Sequence, residues 1–109
     1  MNIFQRWVAR NKEKRLQELR DRLGDDLAFF YAEDNVGLLR RRLVSMPGVE
    51  TVTNTIGGWR KASVEVIMND GFTCEVYGDD TVIAFREAAF MVVGRLQAKH
   101  SLGDGWLLR

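Results

Sequence analysis

RKASVEVIMNDGFTCEVYGDD, residues 60–80, contains two alternating runs joined by a short polar loop. In RKASVEVIM the apolar Val64, Val66 and Met68 alternate with Ser63, Glu65 and Ile67, and FTCEVY alternates again. Period-two runs bounded by Asn, Asp and Gly read as a β-hairpin. The loop decides the register. A two-residue Asp70-Gly71 turn would set Val66 opposite Glu75 and mix the faces. A three-residue loop with Gly71 left-handed pairs Met68 with Phe72, Val66 with Cys74 and Val64 with Val76. Only the second choice makes one apolar face, and register follows the buried face.

The other face then carries Glu65 directly across from Glu75, Ile67 across from Thr73 and Ser63 across from Tyr77. Like charges in opposing positions destabilise a sheet by about 0.2–1 kcal/mol. Two readings stand: a solvated surface softened by Arg60 or Lys61, or an acidic docking face.

Upstream, VETVTNT (49–55) is the first strand and the IGG that follows is a loose turn. Downstream, a helix begins at Asp79, Asp80 or Thr81, each able to cap free amide groups, with acids suited to the positive helix end. Val82, Phe85, Ala89, Val92, Val93 and Leu96 form its buried stripe, leaving Arg86, Glu87, Arg95 and Gln97 toward water. Trp106, Leu107 and Leu108 in the tail are expected to pack back on the body or on a partner.

Toward the N-terminus, Phe4, Val8, Leu16, Leu19 and Leu23 mark an amphipathic basic helix, with Gly24 at the expected stop. Asp25 and Asp26 suit the start of a second helical region through Leu27, Phe30, Tyr31 and Leu38. Asn35 and Gly37 weaken its middle, giving either a break near Asp34 or two short helices. Pro47 ends the helical half, because it disfavours helix at Met46. The expected fold is α+β, with N-terminal helices, a three-stranded antiparallel sheet and a C-terminal helix on one sheet face. Residues 1–24 form a basic helix and residues 25–109 an α-β-β-β-α domain with a short apolar tail.

A chain of 109 residues with 46% hydrophobic and 28% charged residues fits one small globular domain. No apolar run reaches the roughly 20 residues of a membrane span. Nor does an apolar stretch with a cleavage site follow the basic N-terminus, so no signal peptide is expected. The single cysteine, Cys74, forms no internal disulfide and fits a reducing, cytoplasmic compartment. With one histidine, His100, a Cys/His zinc site is excluded.

The net charge of +1 hides segregation: residues 1–24 carry +4, residues 25–38 carry −4, Arg40, Arg41 and Arg42 add +3, and residues 43–109 carry −2. Such polarity bears on partner choice.

From residue 25 onward the order helix, three strands, helix, with ASVEVIMNDGFTCEVYG leading into AFREAAFMVV, resembles the double-stranded-RNA-binding domain fold in topology. That family grips phosphates with a lysine cluster at the start of its last helix. Here those positions hold Asp79, Asp80 and Thr81, so the resemblance implies the fold and not the RNA activity. LRRRLVSMPGVETV also looks like the helix-to-strand joint of ferredoxin-like domains, but the preceding strand and the metal-binding cysteine pair of that type are missing. In general character the chain resembles bacteriophage accessory proteins, which implies stoichiometric binding and inhibition of host proteins.

Chemistry finds little support. A nucleophile needs an adjacent base, yet His100 lies in a helix end and Cys74 faces the core. Gly57-Gly58 lacks the lysine and spacing of a phosphate loop. Asp79 and Asp80, with Asp70 and Glu75, suggest a magnesium site, but adjacent aspartates at a helix start are usually caps. No catalytic residue, metal or cofactor is expected.

Three binding readings follow. The first is a protein-binding accessory or inhibitor using Glu65, Glu75, Tyr77, Asp79 and Asp80 against a basic surface of a host protein, one that handles nucleic acid or acts in defence. The alternative is nucleic-acid binding through Arg6, Arg10, Lys12, Lys14, Arg15 and Arg40, Arg41 and Arg42, although Glu13, Glu18 and Asp21 interleave with these bases. The third is membrane-surface contact through Ile3, Phe4, Trp7 and Val8, which could instead pack on the sheet or in a homodimer. A homodimer would form through this helix or through the C-terminal tail.

Overall fold

The computed structural model describes residues 2–57 and 61–102. The expected tail contacts of Trp106, Leu107 and Leu108, and the roles given to Gly58 and Arg60, lie outside these residues. Helix α1 spans Ile3–Ala32, α2 Val36–Ser45 and α3 Thr81–Lys99, with strands β1 Val49–Ile56, β2 Ala62–Met68 and β3 Thr73–Gly78. The class is α+β, and α2 through α3 has the α-β-β-β-α order. The strands form one antiparallel sheet in the order β1-β2-β3.

The hairpin register follows from burying one face. Val64 pairs with Val76, Val66 with Cys74 and Ile67 with Thr73, and the Met68 amide donates to the Phe72 carbonyl at 2.8 Å. Gly71 takes φ +89°, the left-handed conformation this loop requires, at no steric penalty. The Asp70 carboxylate accepts from the Phe72 amide at 3.0 Å and from Arg95 at 3.1 Å, with Lys99 at 3.5 Å. The hairpin tip is thereby tied to the end of α3.

Ala62, Val64, Val66 and Met68 of β2 are buried against α3, whose Ala84, Ala88 and Ala89 are fully buried. Small residues bring the helix close to the strands. Helix α2 adds Leu39 and Leu43 to the same core and packs on β1 and α3. The β3-to-α3 corner is tight enough to require glycine: a Cβ at Gly78 would lie 2.6 Å from the Ala84 amide nitrogen. Asp80 then caps α3, accepting from the Ile83 amide at 2.9 Å.

Two expectations for the N-terminal helices are corrected. Helix α1 does not stop at Gly24; it runs 30 residues and ends at Ala32. A mid-helix glycine costs about 1 kcal/mol relative to alanine, and burial of the apolar Leu23 and Phe30 around it outweighs that. Asp26 is accordingly no cap: it is buried, and Arg42 Nε donates to it at 2.6 Å. The break near Asp34 is present, with Asn35 capping α2 by accepting from the Leu38 amide at 3.0 Å.

Arg86 does not simply face water. Its guanidinium donates to the carbonyls of Phe30, Tyr31 and Glu33 and pairs with Asp34, satisfying the carbonyls left open where α1 ends. Gln97 is also buried rather than solvent-facing.

Only the second half of α1 joins this body. Leu16, Leu19, Leu23, Leu27 and Phe30 meet the core, whereas Ile3, Phe4, Trp7 and Val8 are all exposed. The chain measures 61 × 29 × 21 Å, with a radius of gyration of 16.1 Å; a compact domain of this length would have about 13 Å. The first half of α1 is therefore an arm. A capping box closes its start, with the Asn2 side chain accepting from the Gln5 amide and the Gln5 side chain accepting from the Asn2 amide.

Two consequences can be measured. Arg42→Met strands the Asp26 carboxylate, and breaking a buried pair costs about 3–5 kcal/mol. Since the Arg42 side chain is 35% exposed, the loss expected in urea unfolding lies at or below the low end, about 2–3 kcal/mol. Arg41→Met, on the exposed side, is expected to stay within about 0.5 kcal/mol.

The second concerns acid. The Phe72 amide, opposed in part by burial and aided by Arg95 and Lys99, holds the Asp70 carboxyl below its ordinary value. A depressed folded pKa contributes stability above the unfolded value of about 3.9 and loses it as pH falls through the folded value. Asp70→Asn is expected to flatten that acid limb of an unfolding-versus-pH curve.

Candidate functional site

Burying one side of the sheet exposes the other. The pairings place three rows across it: Thr51–Ile67–Thr73, Thr53–Glu65–Glu75 and Thr55–Ser63–Tyr77. Glu65 and Glu75 are exposed in the central row, with Thr53 completing it. The Tyr77 hydroxyl hydrogen-bonds the Glu75 carboxylate, so the phenol and one acid of the pair form a unit. Among the described residues no helix covers this face: α2 and α3 both lie on the opposite side, where Val64, Val66, Val76 and Cys74 point.

The structure thus brings together Glu65, Glu75 and Tyr77 as sequence reasoning expects, and it separates the roles of Asp79 and Asp80. Asp80 is spent on the helix cap. Asp79 is exposed at the adjoining corner, 3.8 Å from the Lys61 ammonium, a contact between two exposed groups that contributes little. The hydroxyl rim of Thr51, Thr53, Thr55, Ser63 and Thr73 was not singled out from sequence. Its signal was the alternation of VETVTNT, readable once β1 is set in register against β2.

The alternative basic set is dispersed. Arg42 is held by Asp26 and lies over the Phe29 ring at 4.8 Å. Arg40 sits 5.9 Å from the Phe85 ring centre and donates to the Val52 carbonyl at 3.5 Å. Of the run, Arg41 alone is exposed, Arg40 and Arg42 being half-buried. Arg6, Arg10, Lys14 and Arg15 are exposed on the arm; at 1.5 Å per residue, Arg10 lies about 24 Å along the helix from Asp26, where Arg42 docks.

Neither nucleophile candidate acquires an activating neighbour. Burial, and secondarily the nearby Glu65 charge, raise the Cys74 thiol above its ordinary pKa, with only a partial opposing effect from the Val66 backbone. A raised thiol pKa leaves less thiolate for reaction. His100 is exposed at the C-terminal cap of α3. Among the described residues no three His, Cys, Asp or Glu side chains converge as metal ligands, and no helix is long and apolar enough to cross a membrane.

Like charges directly opposite one another, as Glu65 and Glu75 are, weaken a strand pair. Glu65→Thr is expected to raise the unfolding free energy by about 0.2–1 kcal/mol, read from the urea midpoint. A loss of stability would show instead that the acid pair supports the fold.

Compared with family models, curated proteins and solved structures, the chain matches none.

Proposed function

We propose that this chain is a non-enzymatic protein-binding accessory protein that acts by stoichiometric capture of a basic surface on another protein. The observation that carries this reading is the open sheet face, where Glu65 and Glu75 stand opposed beside Tyr77 with none of the described helices over them. Surface positions that oppose folding are the ones a binding role explains. A negative face steers a positive partner and rejects phosphate backbones, and tyrosine supplies a rigid aromatic anchor with a polar tip. Thr53 and Thr55 flank the acids with short hydroxyl side chains that let a broad surface approach.

The partner class is a protein whose own nucleic-acid-binding surface is basic. The general resemblance to phage accessory proteins noted in the sequence, which implies inhibition of host defence or nucleic-acid-processing proteins, points the same way. The proposed site comprises Glu65, Glu75, Tyr77 and Asp79, with Asp80 shaping the corner through its cap. The reading makes the protein a binder and not a catalyst, acting inside the cytoplasm of a host cell.

The test is capture from nuclease-treated bacterial lysate with the native chain, with Glu65→Lys/Glu75→Lys and with Arg10→Glu/Lys14→Glu. Reversing both acids keeps a like-charge pair across the strands, so the sheet loses little while its field changes sign. A discrete protein held by the native chain and by the arm variant, and lost by the sheet variant at more than about tenfold weaker affinity, is the expected result. Retention by the sheet variant would overturn the reading.

A further inference from the structure

The arm of α1 has a composition and a placement that neither the core nor the open sheet uses. Its first two turns expose Ile3 at 86%, Phe4 at 69%, Trp7 at 61% and Val8 at 45%. The Phe4 and Trp7 rings stack with centres 6.4 Å apart, so the aromatic surface is one patch. At 100° per residue this patch points about 130° away from the stripe of Leu16, Leu19, Leu23, Leu27 and Phe30 that meets the body. The patch is thus centred on a different side of the helix from the core stripe and meets that stripe only at its Val8 edge.

Around and just beyond it come Arg6, Arg10, Lys12, Lys14 and Arg15 with one acid, Glu13, giving residues 3–15 a charge of +4. All five bases are exposed. A short groove between Trp7, Val8, Asn11, Lys12, Arg15 and Leu16 continues the patch along the helix.

We propose that this arm binds anionic phospholipid membrane surfaces, with Ile3, Phe4, Trp7 and Val8 entering the headgroup–acyl boundary and the bases engaging lipid phosphates. Charge decides among the occupants. A second copy of the arm would bring +4 against +4, and a basic partner would be repelled in the same way. Nucleic acid would match the charge but gives no use to the aliphatic Ile3 and Val8, which stay wet beside a phosphate backbone. An anionic bilayer accepts both halves: apolar side chains gain from leaving water, while long basic side chains keep their charged ends at the headgroups. Tryptophan favours that boundary for the same reason. This surface is distinct from the open sheet face, so the protein could hold a membrane and a protein partner at once.

The experiment is co-sedimentation of the nuclease-treated full chain with vesicles of equimolar phosphatidylglycerol and phosphatidylcholine, against vesicles of phosphatidylcholine alone. Three chains are compared: native, Phe4→Gln/Trp7→Gln and Arg10→Glu/Lys14→Glu. None of the four residues touches the core, so urea midpoints serve as the control for folding. Expected is binding to the anionic vesicles that weakens with added salt, and more than about tenfold weaker binding by either variant, each basic residue near such a surface contributing appreciably. Equal binding to the neutral vesicles, native-like binding by both variants, or no vesicle binding by the native chain would overturn the proposal. So would a dimer in sedimentation velocity that Phe4→Gln/Trp7→Gln dissolves while vesicle binding is absent.

Discussion

The structure depends on the one-sided burial of the sheet. Val64 and Val66 are fully buried because α3 presents alanines where it crosses β2, so helix and strand approach closely. Dispersion gains fall off steeply with separation. With α2 and α3 committed to that face and α1 packed on α3, none of the described helices covers the other. The open rows of Thr53, Glu65 and Glu75 are therefore the necessary counterpart of the core and not an accident of surface composition. Gly78 enforces the geometry at the corner, since any side chain there would strike the backbone of α3 within its first turn.

Most of this was legible in residues 60–80, because a period-two pattern plus a loop with one left-handed glycine admits a single register with an apolar face. Helix ends were harder. Gly24 followed by Asp25 and Asp26 is locally indistinguishable from a stop and a new cap. What overrides it is tertiary: Arg42, sixteen residues further on, supplies the partner that lets Asp26 be buried inside a continuous helix. Arg86 shows the same limit. Its place on the helix wheel reads as exposed, and only the arrival of the α1 C-terminus, more than fifty residues earlier in sequence, converts it into a cap for another helix. Long-range polar contacts leave no periodicity to read.

The candidate surfaces divide along the same line. The acidic face could be placed from sequence because register alone fixes which side chains share a row. The run Arg40, Arg41 and Arg42 could not, because adjacent residues on a helix point in different directions. Two of the three turned inward, to Phe85 and the Val52 carbonyl and to Asp26 and Phe29. A cluster in sequence became two structural clamps and one exposed charge.

The arm raises a question of helix physics that its function must answer. An isolated helix of about a dozen residues is marginal in water, because the first turn orders several residues for one hydrogen bond. Here the nucleus is already formed: Leu16 to Phe30 are docked, and residues 3–15 only propagate from it, ended by the Asn2–Gln5 capping box. Propagation explains how the arm stays helical, but not why two turns of it expose Ile3, Phe4, Trp7 and Val8. The folded body gains nothing from those four side chains, and exposed apolar patches of this kind mark contact surfaces. A helix held straight by a docked base and capped at its far end presents that patch at one extreme of a 61 Å molecule, clear of the sheet. Rigidity and reach together suit contact with an extended surface better than closure over a small ligand.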